Sequence, residues 1–183
     1  MILVGRAGID YCLQQARLAE QNEATKGESA KLKGTAKTIA YNLSSNTWPA
    51  WEDEGIIVTR SDQVIGLDAT LLNLRLAGEL NRSADKVANA HWLLGAHYLE
   101  LKRQETAVKQ FELAVEKFAK ANKPDFELMA RGYVAIARLT ADKTDSAADQ
   151  QLNEAIAALK KLDTDDAKFF AEQLKSVNKF FAR

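Results

Sequence analysis

Apolar residues recur three and four positions apart along almost the whole chain, and the polar residues between them are mostly Lys, Gln and Glu. β-branched runs are nearly absent, and Pro occurs only at Pro49 and Pro124. That pattern predicts an all-α protein. The expected helices run at about 3–25, 28–46, 61–81, 84–103, 105–121, 125–140, 146–162 and 165–182. Short turns join most of them, so sequential neighbours should form antiparallel hairpins. Ser61, Ser83 and Asp163 or Thr164 offer side-chain oxygens to free amides at helix starts. Pro124, one residue before Asp125 opens the sixth helix, lacks an N–H where none is needed. Gly27 is expected to separate the first two helices.

The helices differ in how many faces are apolar. The fifth gathers Ala107, Val108, Phe111, Ala114, Val115 and Phe118 on one side, with Lys109, Glu112, Glu116, Lys117 and Lys120 on the other. It should show one face to its neighbours and one to water. The fourth carries two stripes, Leu94–Tyr98–Leu101 and Trp92–Ala96–Leu99. The sixth does the same, with Leu128, Gly132 and Ala135 as the packing side and Met129, Tyr133 and Ile136 as a second. A helix apolar on two faces is sandwiched, or it lines a groove.

Small and large residues also fall into register. Leu94-Gly95, Tyr98, Ala107, Phe111 and Ala114 spell L-G-x2-Y…A-x3-F-x2-A over two consecutive helices. This resembles the tetratricopeptide repeat, over about Ala88 to Ala121, with His91 standing where a large apolar residue is usual. A looser unit follows: Gly132 corresponds to Gly95, and Ala148, Leu152 and Ala155 repeat the small-large-small spacing. It needs a longer turn around Thr140 to Ser146 and carries Arg131 where leucine is expected. A weaker unit echoes at Ile39-Ala40 and Leu43.

The resemblance implies one helical domain over 1–183, a right-handed stack of antiparallel hairpins. Residues 1–60 would be divergent helices with a Trp-Pro loop, 61–162 the repeats, and 163–183 a capping helix. It also implies a non-catalytic protein–protein interaction module, a scaffold that holds a peptide or helix on its concave face. By offset from the glycines, Asn89, Trp92, Ala96 and Leu99 would line that groove in the best repeat. Phe126, Met129, Tyr133 and Ile136 would do so in the next, and Lys37, Tyr41 and Ser44 in the weakest. The Lys, Arg and Asn that clamp a C-terminal carboxylate in some relatives are replaced here by Trp, Ala, Met and Tyr. An apolar peptide or amphipathic helix therefore suits the surface, with Trp92 and Tyr133 as anchors. The competing arrangement is a groove filled by the chain's own helices.

Two other segments have dual readings. Trp48-Pro49-Ala50-Trp51, the acidic Glu52-Asp53-Glu54 and Gly55 form a longer connection, followed by Ile56-Ile57-Val58 as an apolar anchor. The loop either pins itself with its two Trp residues or helps shape a binding surface. In the last helix, Phe170, Leu174, Val177 and Phe181 fall on one stripe, flanked by Phe169 and Phe180. They either cap the final hairpin or join two copies in a homodimer, the alternative function of a self-associating helical subunit.

Charge and candidate chemistry narrow the classes further. Lys+Arg and Asp+Glu each number 25, and no run of Lys or Arg exceeds two residues. No nucleic-acid partner is therefore expected. Cys12 is the lone cysteine, on the apolar side of the first helix, so neither a disulfide nor a cysteine zinc site can form within the chain. That is compatible with a reducing compartment such as the cytoplasm, and a signal lost with a precursor stays open. No stretch approaches the roughly 20 apolar residues of a membrane span. His91 and His97 are six apart, on different helix faces, with His91 expected between helices and His97 partly solvated. No nucleophile elbow, phosphate loop or H-E-x-x-H occurs. Asp163, Asp165 and Asp166 cluster at a helix start, where the amide dipole favours them. No enzyme, cofactor or metal is nominated.

Overall fold

The computed structural model describes residues 2–52 and 54–183. Among them every regular element is helical: α1 (Ile2–Glu20), α2 (Lys26–Ser45), a 3-10 turn (Pro49–Trp51), α3 (Arg60–Glu79), α4 (Ala84–Glu100), α5 (Gln104–Lys120), α6 (Pro124–Ala141), α7 (Ser146–Leu162) and α8 (Asp165–Phe181). The all-α class and the expected helices are present. Of the acidic trio in the Trp-Pro loop, Asp53 lies outside the described residues.

Helix starts follow the expected chemistry at some ends only: Ser83 precedes α4 but its side chain makes no capping hydrogen bond. α3 begins with Thr59, not Ser61: its side chain accepts from the Asp62 amide, and Asp62 reaches back to the Thr59 amide at 2.8 Å. This reciprocal box satisfies two orphan donors at once. Pro124 is itself the first residue of α6. Gly27 lies inside the first turn of α2; the break between α1 and α2 is the turn ending at Thr25. Thr164, rather than Asp163, caps α8 by accepting from Ala167.

Helix ends repeat one device. Asn81, Lys102 and Asn122 adopt positive φ of 45°, 58° and 52°. Just after each, the amides of Arg82, Arg103 and Lys123 bond back to the carbonyls of Ala77, Tyr98 and Phe118 at 2.9, 2.9 and 3.0 Å. A left-handed residue followed by such a back-bond closes a helix and turns the chain. α6 ends differently, through residues 142–145. There Asp142 accepts from Thr144, and Asp145 accepts from Ala148 to start α7. At four residues this connection is one longer than those on either side of α5.

Contacts divide the chain into two compact units, residues 1–48 with 58–82 and residues 49–57 with 83–183. In the first, α2 packs against both α1 and α3. Its core is small: Ile9, Ala40, Leu43 and Ala69 form one cluster and Cys12, Ala36 and Leu76 another. Where α2 meets α3, the buried hydroxyls of Ser44 and Thr70 are hydrogen-bonded to each other. Lys33 sits between Glu20 at 2.8 Å and Glu79 at 3.6 Å, tying one helix to two others. That pairing holds the Glu20 carboxyl below and the Lys33 amine above their ordinary values.

In the second unit, α4 packs on α5, α5 on α6 and α6 on α7, and α8 contacts α6, α7 and the 3-10 turn. Gly95 lets α5 approach α4 so closely that a Cβ there would lie 2.6 Å from the Phe111 ring. Gly132 plays the same part with a different partner. It receives Leu174 of α8, not a residue of α7. Phe170, Leu174 and Val177 are buried, while Phe169 beside them is exposed. The Arg183 guanidinium meets both carboxylate oxygens of Glu52, at 2.5 and 3.2 Å. The Ile56-Ile57-Val58 anchor is corrected at two of its positions: Ile56 is exposed and Ile57 is 88% exposed, while Val58 is half-buried.

Candidate interaction surface

Of the residues expected to line a groove, Trp92 on α4 and Tyr133 on α6 are in contact. Trp92 and Tyr133 meet edge to face with ring centroids 5.5 Å apart, and Tyr133 lies 5.2 Å from Phe111. Trp51 of the 3-10 turn approaches Trp92 at 6.3 Å. Such tilted arrangements favour aromatic quadrupoles over stacked sandwiches. Trp92, Ala96, Leu99, Met129, Tyr133 and Ile136 are all buried. Asn89 and Phe126 are half-buried. Phe126 bridges two helices, lying 5.3 Å from Phe118 and 4.8 Å from Phe170. Of the offsets on α2, Ser44 is buried, and Lys37 and Tyr41 are half-buried, with burial pushing the Tyr41 phenol upward.

The opposite face of α6 is open. Leu128, Arg131, Val134 and Arg138 recur three or four apart along it, between Glu112 and Val115 of α5 and Gln151, Glu154, Ala155 and Ala158 of α7. Together they enclose a trough of about 570 Å³. Its apolar lining is Val115, Leu128, Val134, Ala155 and Ala158. Its rim carries both charge signs. Arg131 is held along α6 by Glu127, through Nε at 3.0 Å and Nη2 at 2.7 Å. Arg138 reaches across the trough, donating to Glu112 Oε1 and Gln151 Oε1, each at 3.2 Å. Beyond that bar a second hollow of about 360 Å³ continues between α5 and α6, floored by Val108, Ala137 and Ala141.

Arg131 is the sequence signal for this face. A charged residue inside an otherwise apolar helix, seven before Arg138, marks a stripe of α6 that meets water. Periodicity alone, which makes α6 apolar on two sides, does not say which side stays open.

The imidazoles and carboxylates have structural partners. His91 Nδ1 lies 2.8 Å from Gln110 Oε1, joining α4 to α5, and burial lowers its basicity. His97 is buried, not partly solvated, because its side of α4 lies in the interior. Cys12 is buried as expected. Asp163 pairs with Lys168 at 2.7 Å, which holds its carboxyl below the usual range. No helix among the described residues is long and apolar enough to cross a membrane.

Comparison with family models, with curated proteins and with solved structures finds no match.

Proposed function

We propose that this protein is a non-catalytic interaction module, a scaffold of tetratricopeptide-like hairpins that holds an amphipathic helix or apolar peptide of a protein partner. The observation that carries the reading is the trough on α6, an apolar floor open to solvent inside a rim of fixed charges. Val115, Leu128, Val134, Ala155 and Ala158 would receive the partner's apolar side chains, and the Arg131 and Arg138 guanidiniums would set its direction by pairing with carboxylates. The buried side chains of Trp92, Met129 and Tyr133 would back this face from within, so that binding meets a rigid floor and costs little ordering.

A displayed peptide library panned against the intact protein tests the proposal. Enriched peptides should carry apolar residues at helical spacing with an acidic flank. They should lose at least about tenfold in affinity for Ala158→Glu, which puts a charge on the trough floor. Failure to enrich, or equal binding to Ala158→Glu, sinks the trough as the binding face. A Trp92→Ala variant separates backing from contact. Lost helicity marks Trp92 as core, whereas intact helicity with weakened capture returns the binding surface to the α4 face.

A further inference from the structure

One short piece of the second unit comes from elsewhere in the chain. Residues 49–57 lie between α2 and α3 in sequence, yet they pack with residues 83–183. The 3-10 turn Pro49–Trp51 meets α8, and Trp51 sets its ring 6.3 Å from that of Trp92 on α4. Ala50 is buried, and Pro49 and Trp51 are half-buried. The turn then ends at once. The Glu52 amide bonds back to the Pro49 carbonyl at 3.1 Å, and Glu52 takes a left-handed φ of 51°. Its exposed carboxylate pairs with Arg183, whose guanidinium also lies 5.9 Å from the centre of the Phe180 ring. Glu54 to Ile57, beyond the turn, are exposed. What fastens this strap is a short turn and an ion pair that faces water.

We infer that the Pro49–Glu52 strap is an autoinhibitory contact. It occupies the Trp92 seat as an internal ligand and yields it to a partner peptide that carries an aromatic side chain followed by a carboxylate. Two observations make the strap displaceable. An exposed ion pair contributes little in water and is screened by salt, so the Glu52–Arg183 latch opens readily. Trp92 Nε1 is buried with no acceptor among the described residues. The internal ligand therefore leaves a donor unsatisfied, a cost that a competing peptide with a carbonyl at that point removes. The partner's chemistry is read from the strap itself: a ring for Trp92, then a carboxylate for Arg183. Because the strap is tethered, it competes at high effective concentration, and a strap closed about nine times in ten weakens a free peptide about tenfold. None of this rests on the trough, which lies on the opposite face of α6.

An acetylated and amidated peptide of residues 49–55, titrated into the isotope-labelled full chain and followed by NMR, tests the proposal. Trp51→Ala empties the seat and should bind the peptide at least about tenfold more tightly than the wild type, with the Trp92 indole N–H resonance shifting. Glu52→Gln only loosens the latch and should tighten binding about two- to fivefold. The peptide with its tryptophan replaced by alanine should not bind. Equal affinity in the wild type and Trp51→Ala overturns the inference, as does a Trp92 signal that the peptide leaves unmoved. Loss of helicity in Trp51→Ala also overturns it, because a displaceable strap must leave the fold intact when it goes. Unchanged affinity on adding Arg183→Ala to Trp51→Ala overturns the need for a carboxylate.

Discussion

In residues 2–48 and 58–82 the helices meet through small side chains: Ala36, Ala40 and Ala69 lie at the contacts, and a hydroxyl pair joins Ser44 to Thr70. In residues 83–183 they meet through aromatic rings set against glycine, Phe111 on Gly95, with Tyr133 and Trp92 continuing the chain of rings. Both solutions bring helices close, but they spend their large apolar residues differently. The second unit buries Trp92, Phe111, Phe118, Tyr133 and Phe170, with Phe169 left exposed. The first buries Ile9, Leu43, Trp48 and Leu76 beside its alanines, and four of its large side chains remain outside on α1. Close packing by small residues buries less apolar area per helix than packing by rings. The aromatic unit should therefore carry the steeper mutational costs.

The largest test removes a ring. Phe111→Ala leaves a cavity beneath Gly95 and Tyr133 and should cost about 3–5 kcal/mol, read as a lowered midpoint in urea. A loss under about 1 kcal/mol would mean that the rings do not distinguish the second unit. Next come the glycines. At Gly95 an added methyl meets the flat, confined Phe111 ring, so Gly95→Ala should cost about 1–3 kcal/mol even after its gain in helix propensity. At Gly132 the methyl meets the branched end of Leu174, which can rotate aside, and Gly132→Ala should cost less. The reverse order would show that Leu174 is the more confined partner.

The smallest effect concerns helix starts and pH. The Asp62 carboxyl is held below its ordinary value by hydrogen bonds from the Thr59 side chain and amide. A lowered folded value means that its contribution is complete above the unfolded value near 3.8 and is lost as pH falls through the folded one. Acid should therefore loosen the first turn of α3. An Asp62→Asn variant has no proton to gain there. Amide exchange compared at pH 5 and pH 3, after correction for intrinsic rates, should show faster opening of this turn at low pH in the wild type and not in the variant. Equal behaviour of the two removes the Asp62 carboxylate as the cause.

Helicity, most boundaries and the Gly95–Phe111 contact could be read along the chain, because each follows from propensity, capping atoms or a spacing within one hairpin. Gly132 shows the limit. Its spacing resembles that of Gly95, yet its partner is Leu174 from α8, since three helices compete for that side of α6. The same competition decides α6 itself. Both of its apolar stripes satisfy helical periodicity and both are consumed by packing, Met129, Tyr133 and Ile136 on one and Gly132 and Ala135 on the other, which leaves the trough beside Leu128, Arg131 and Arg138. Trp51 likewise meets Trp92 from a distant part of the chain, a contact no local spacing encodes.

The sequence by itself determined where helices start, where they stop and which of their faces are apolar. Those properties depend on hydrogen bonds and side chains a few residues apart. Only the tertiary structure decided which apolar faces were consumed. Burial is a sum over neighbours brought from anywhere in the chain, and a stripe such as Val4–Tyr11–Leu18 has the spacing of a core stripe but stays exposed.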